Sequence, residues 1–291
     1  MSSYTIILNS PVLLCTLVGV IGLMVGSFLN VVIYRLPIML QRGWKQECQE
    51  FLELAITDPS DNTFNLALPG SHCPICNAKI TAMQNIPVFS YLWLKGKCAN
   101  CQTHISMRYP LVEALSSILS IVVAYQLGGQ IETLYALLLT WTLIALSGID
   151  FDHQLLPDNI VLPILWLGLF LSLFNIFTDP VSSIIGAIAG YLFLWTIYQL
   201  FKLLTGKEGM GYGDFKLLAL LGAWLGWQYL PLIILLSSLV GAIIGTAMII
   251  FVQRDKNVPI PFGPYLAIAG WIALLWGDEI NTLYLTSTGL L

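Results

Sequence analysis

The stretch Pro11-Val-Leu-Leu-Cys-Thr-Leu-Val-Gly-Val-Ile-Gly-Leu-Met-Val-Gly-Ser-Phe-Leu-Asn-Val-Val-Ile-Tyr34 carries no charge, and the first ionic side chain of the whole sequence is Arg35. About 20 apolar residues in helical conformation cross roughly 30 Å of hydrocarbon. This run is too long for the apolar part of a signal peptide and lacks a basic leader, so it reads as a retained membrane helix. Further apolar runs follow at 110–127, 130–149, 159–178, 181–203, 215–229, 231–252 and 262–282. The sixth is short. It is separated from the seventh by Gly226-Trp-Gln-Tyr-Leu-Pro231, where a proline break coincides with interfacial aromatic residues. The expected fold class is an all-α polytopic membrane protein with about eight transmembrane helices.

Composition agrees with that reading. Of 291 residues, 57% are hydrophobic and 10% charged, against about 25% charged in ordinary soluble domains, and the mean hydropathy is +0.81. An ordinary soluble enzyme is excluded. The net charge of −4 supplies no basic field for nucleic acid, so the partner implied is the lipid bilayer. The twelve basic residues fall on one side of an eight-span chain. Arg35, Arg42, Lys45, Lys79, Lys95, Lys97 and Arg108 lie in or beside the first loop, Lys202, Lys207 and Lys216 around the fifth, and Arg254 and Lys256 in the seventh. Because Lys and Arg concentrate on the cytoplasmic side, loops 1, 3, 5 and 7 are expected to be cytoplasmic and the N-terminus outside. The domain reading is a first transmembrane helix at 1–35, a polar cytoplasmic insert at 36–108 and a seven-helix membrane core at 109–291. Gly-x3-Gly pairs at Gly22, Gly186, Gly222 and Gly241 read as close helix packing.

Within the insert, Cys73-Pro-Ile-Cys76 and Cys98-Ala-Asn-Cys101 form two knuckles. Two tight Cys-x2-Cys turns supply the four thiolates of a closed tetrahedron, so Cys73, Cys76, Cys98 and Cys101 are expected to hold one structural Zn²⁺ per chain. The alternative is a pair of disulfides or a redox dithiol, disfavoured in a reducing compartment. His72 and His104, which flank the knuckles, read as surface histidines, and Cys15 and Cys48 as small side chains. Residues 38–70 include Glu47, Glu50, Glu53, Asp58 and Asp61, with Pro59 among them, and a surface helix is expected near Glu47–Ile56.

Ionisable residues at membrane depth are costly and are functional candidates. Asp150, Asp152 and Asp158 cluster where the third span ends, and Asp214 lies in Gly211-Tyr-Gly-Asp214 after Glu208, where the sixth begins. Two carboxylates from separate helices that share one proton are the parts of an aspartic protease. The ionised member activates water and the protonated member polarises the scissile carbonyl. Gly211 and Gly213 leave room for an extended substrate backbone. The alternative is an ordinary helix entry in which Asp214, and likewise Asp158, serves as a cap. His153 reads as a polar turn residue.

Together these residues resemble the type IV prepilin leader peptidase family, the bifunctional Gly-x-Gly-Asp peptidases and N-methyltransferases of type IV pilus and type II secretion systems. Gly26-Ser-Phe-Leu-Asn-Val-Val-Ile-Tyr-Arg-Leu-Pro37, Ser71-His-Cys-Pro-Ile-Cys76, Lys97-Cys-Ala-Asn-Cys101, Arg108-Tyr-Pro-Leu-Val-Glu113, Ile149 to Asp158, Gly211 to Lys216 and Ile260-Pro-Phe-Gly-Pro-Tyr265 follow in family order. The resemblance implies removal of a short basic leader from prepilins and pseudopilins after a glycine, at the cytoplasmic face of the bacterial inner membrane. Methylation of the new N-terminal amine, often of phenylalanine, by S-adenosylmethionine would follow. It also implies Asp150 and Asp214 as the catalytic pair, with Asp152 and Asp158 in support. It points to no residues for the methyl donor, and no Gly-x-Gly-x-x-Gly follows a strand. Two other classes compete: a membrane transporter with a zinc-stabilised cytoplasmic domain, which expects acids near mid-bilayer, and an assembly scaffold, which leaves the acids without a role.

Overall fold

The computed structural model describes residues 10–54, 64–251 and 261–287, and divides into two compact units, 1–133 and 134–291. Asp58, Pro59, Asp61, Arg254, Lys256 and Ile260 lie outside the described residues. Among those described there is no β-strand, only isolated bridges between His72 and Lys79 and between Lys97 and His104.

The first unit is built on α1 (Pro11–Phe51) and α3 (Arg108–Leu127), with a five-residue α2 (Phe89–Trp93) in the insert between them. Pro11 opens α1 at a position where its missing N–H costs nothing. The helix does not stop where the apolar run stops. It continues unbroken through residues 35–51, because that segment is rich in Gln, Glu, Lys and Arg, all good helix formers, and Gln46 donates to Glu50 one turn on at 2.9 Å. The surface helix expected near Glu47–Ile56 is therefore the end of α1, with residues 55 and 56 outside the described region. The backbone thus stays helical past residue 35, as far as Phe51.

One face of α1 is kept flat for α3. A Cβ added at Gly26 would stand 2.7 Å from the Cα of Glu113, so the two backbones touch in the manner of small-residue helix pairs in membranes. Ser117 Oγ donates to the carbonyl of Gly19 at 2.8 Å and Asn30 Nδ2 to that of Tyr109 at 3.1 Å. Two buried ionic side chains tie the insert to this pair. Arg35 donates to the carbonyls of Asn65 and Pro69 at 3.0 and 2.6 Å, and Glu113 Oε2 accepts the backbone N–H of Val88 at 2.7 Å.

The second unit comprises α4 (Ile131–His153, entering from residue 134), α5 (Asp158–Ser172), α6 (Pro180–Thr205), α7 (Tyr212–Leu225), α8 (Leu230–Phe251) and α9 (Gly263–Ser287). Its core is α7, on which every residue from Asp214 to Leu225 except Lys216 is buried. A helix apolar on all sides belongs inside a bundle. That placement explains its 14 residues, about 21 Å at 1.5 Å per residue, too few to cross a bilayer unaided. Gly186 of α6 meets Gly222 of α7 so closely that a Cβ on either would fall within 2.3 Å of the other's carbonyl oxygen. Trp224 donates to the carbonyl of Ile164 on α5 at 2.8 Å.

Among the described residues each apolar run lies mainly on a helix, although 173–178 of the fourth run are turns and bends. Five helical segments are long and apolar enough to cross a membrane, namely Pro11–Phe51, Arg108–Leu127, Ile131–His153, Pro180–Thr205 and Trp227–Ala247, and Asp158–Ser172 is a shorter apolar helix.

Candidate active site and metal centre

Asp150 is placed by the last turns of α4. Leu139, Leu143, Leu146 and Asp150 recur at steps of four, three and four, one stripe of a helix, and all four are buried. Asp152, two residues on, points about 200° around the axis and is exposed, as is His153. Only one acid of the cluster can therefore face the bundle.

Asp214 is the third residue of α7, and its backbone N–H donates to the carbonyl of Gly211, the residue at the N-cap position, at 3.3 Å. It is thus not the cap, but a buried carboxyl in the first turn, 8% exposed against 5% for Asp150. The two carboxyls lie within electrostatic reach of each other. Leu156 packs against the backbone next to both acids' helices: a Cβ at Gly213 would stand 2.8 Å from its Cβ, and one at Gly263 would stand 3.3 Å from its Cδ2.

Gly263, first residue of α9, contributes what inspection of the sequence missed. Its backbone N–H donates to Asp150 Oδ2 at 3.0 Å. Any side chain there would collide with that carboxyl, since its Cβ would fall 2.6 Å from the same oxygen. The signal was present in Pro261-Phe-Gly-Pro264, a glycine at a helix start, but nothing local showed which acid it served. Asp158 is likewise not a cap; the N-cap position of α5 is Pro157. Both its oxygens accept from Lys216 Nζ at 2.7 Å, which ties the start of α5 to the first turn of α7. Lys202, in the last turn of α6, pairs at 2.8 Å with Glu208 in the loop before Gly211, and that ammonium holds the Glu208 carboxyl below its ordinary range.

The four knuckle cysteines converge in the first unit. Their sulfurs all lie within 4.8 Å of one another, with Cys73 to Cys101 at 3.8 Å and Cys76 to Cys98 at 4.0 Å. Four sulfurs about 2.3 Å from a tetrahedral zinc stand about 3.8 Å apart, so the donor set fits that ion. The two knuckles repeat one backbone pattern. Cys73 N–H donates to Ala78 O and Asn77 N–H back to Cys73 O, as Cys98 does to Thr103 and Gln102 to Cys98, and Asn77 and Gln102 both take positive φ. Backbone N–H groups of Ala78, Cys101 and Thr103 draw the thiols of Cys76, Cys98 and Cys101 respectively below their ordinary range, toward the thiolate a metal needs. Asn100 Nδ2 adds a donor to Cys76 Sγ at 3.6 Å. His72 and His104 are exposed and outside this cluster, Cys48 is exposed, and Cys15 is partly buried on α1.

Residues 20–127 match the bacterial peptidase A24 N-terminal domain, and residues 137–246 match the type IV leader peptidase family. The chain is 59% identical over 272 residues to a prepilin leader peptidase/N-methyltransferase of Stutzerimonas stutzeri, covering 94% of this chain and 93% of the relative. It is 57% identical over 276 residues to one of Pseudomonas aeruginosa (95% and 94%). A Neisseria gonorrhoeae protein of the same description is 50% identical over 264 residues (91% of each). No solved structure matches the chain.

Proposed function

The chain belongs to the type IV leader peptidase family; it cleaves prepilin leaders and N-methylates the product, and we propose that Asp150 and Asp214 are the hydrolytic pair. The observation that supports this pair is their joint burial from two helices of one unit, within reach of each other's charge. Two such carboxyls share one proton, because both cannot ionise side by side away from water. An N–H donor aimed at Oδ2 stabilises negative charge there, so the Gly263 bond supports Asp150 as the carboxylate that takes a proton from the attacking water. Asp214 then holds the shared proton and donates it toward the scissile carbonyl, whose oxygen gains charge as the tetrahedral intermediate forms.

The methylation step takes S-adenosylmethionine as donor and the amine freed by cleavage as acceptor, so cleavage comes first. Cys73, Cys76, Cys98 and Cys101 would hold one Zn²⁺, which supplies cross-links to an insert with little apolar core and leaves no coordination position open for chemistry. The chain lies in the bacterial inner membrane with eight spans, N-terminus periplasmic, and tetracysteine loop and aspartates cytoplasmic, acting on prepilins and pseudopilins. The test is leader removal by Asp150→Asn and Asp214→Asn in protein that still inserts: both are inactive on this reading, and efficient processing by either refutes it.

A further inference from the structure

The polar insert of the first unit carries large apolar side chains in the open. On α2, Phe89, Leu92 and Trp93 are 67%, 67% and 74% exposed, and their i, i+3, i+4 spacing sets them on one face of the helix. The other side is occupied: Ser90, Tyr91 and Leu94 are half-buried, and Tyr91 Oη donates to Met107 Sδ at 3.0 Å. Apolar side chains gathered on one face mark an interaction surface, where scattered ones do not.

Two observations identify what covers that face. The first is its height. Val88, at the N-cap position of α2, donates its N–H to Glu113 Oε2 at 2.7 Å. Glu113 is the sixth residue of α3, about 7.5 Å along the axis from Arg108, and lies inside the apolar run that begins at residue 110. Val88 makes this bond at φ +61°, a left-handed conformation that β-branched residues avoid. Beyond α2, the carbonyl of Gly96 accepts the N–H of Ile105 at 2.8 Å. Both ends of α2 are thus tied beside the entry of α3, at the level where that helix passes into hydrocarbon. The second observation is charge. Residues 62–112 contain no Asp or Glu, and Lys79, Lys95, Lys97 and Arg108 give them +4 in a chain of net −4. A Zn²⁺ bound by four thiolates would reduce that to about +2, still opposite in sign to an anionic membrane surface.

We propose that α2 is an interfacial anchor: Phe89, Leu92 and Trp93 lie at the acyl boundary of the leaflet that α3 enters, and the neighbouring Lys95, Lys97 and Arg108 meet the phosphates of anionic lipids. Amphipathic segments with aromatic residues on one face and basic residues at its edge bind membrane surfaces in this way, through buried apolar area and attraction to anionic headgroups. The anchor holds the cysteine knuckles at the height of the headgroups. The inference rests on reading α1 and α3 as membrane spans.

The experiment uses the full-length protein in vesicles of phosphatidylcholine with or without phosphatidylglycerol. A fluorescent amino acid is encoded at one site at a time, which leaves the cysteines untouched. The Leu92 reporter carries the test, with Trp93 as the second site if the Leu92 variant does not insert. A reporter at Ile118, exposed along α3, checks the premise. One at Trp44, ten residues and about 15 Å beyond the apolar run on α1, marks the aqueous side. In anionic vesicles, brominated acyl chains are expected to quench the Leu92 reporter about twofold or more above the Trp44 reporter, and aqueous iodide to quench it about twofold or more below. Omitting phosphatidylglycerol, or adding salt to screen the charges, is expected to halve that difference or more. A Leu92 reporter as open to iodide as Trp44 overturns the proposal. So does one shielded from both quenchers, since protein would then cover α2. Lipid quenching that is indifferent to phosphatidylglycerol overturns the assignment of anionic headgroups. The premise fails separately, through an Ile118 reporter that brominated chains do not quench.

Discussion

Replacing Gly263 by alanine adds one carbon at the point where α9 touches Asp150. That carbon would sit 2.6 Å from Oδ2 and 3.2 Å from Cγ. Ordinary contact begins at 3.4 Å, so carboxyl and helix start must separate by about 0.8 Å, a displacement of the size that costs about 10²-fold when it misplaces a reacting group. The same movement lengthens the 3.0 Å bond from the Gly263 N–H. A hydrogen bond to a charged group is worth ~1.5–3 kcal/mol, which converts to about ten- to 150-fold. Both routes give the same scale. Gly263→Ala is therefore expected to lower kcat/KM for leader removal by about 10²-fold. The assay is timed conversion of a prepilin by purified, detergent-solubilised protein. Methylation of a precleaved acceptor, whose amine is already free, serves as the check that the variant is folded. Leader removal within threefold of wild type would show that the Gly263 contact neither positions nor charges Asp150, and the assignment of Asp150 as water-activating base would go with it.

Other outcomes follow from the same geometry. Asp150→Asn and Asp214→Asn should each lower cleavage by at least ~10³-fold, within the range of general acid–base contributions, and both should abolish methyl incorporation from labelled donor into full-length prepilin. Label on uncleaved precursor would contradict the order of the two steps. Purified protein should contain about one zinc per chain by elemental analysis, absent in Cys73→Ser, and chelation should lower its thermal midpoint; a metal-free preparation with an unchanged midpoint would give the cysteines another role. Asp158 and Lys216 are partly exposed, with side chains 50% and 29% accessible, so Lys216→Met should cost no more than about 1 kcal/mol of stability and less than tenfold in cleavage. A loss matching that of the aspartate variants would place Lys216 in the chemistry itself.

The amino-acid order by itself determined the helical class, the two knuckles and the positions of the acids at helix ends, since each is a local property. Apolar run length follows from the thickness of hydrocarbon, and a Cys-x2-Cys turn carries its own geometry in four residues. Helix periodicity would even have separated Asp150 from Asp152, because residues two apart on a helix cannot share a face. Where α1 ends was less legible: a hydropathy pattern stops at Tyr34, but the backbone stops only where helix-forming residues do, at Phe51. Charge and helicity are different properties of that segment. What only the tertiary structure decided is which partners distant elements bring together. The N–H that reaches Asp150 comes from Gly263, 113 residues away, and Lys216 reaches Asp158 across 58. Contacts of that separation depend on how the helices of one unit pack, and no spacing within a single helix encodes them.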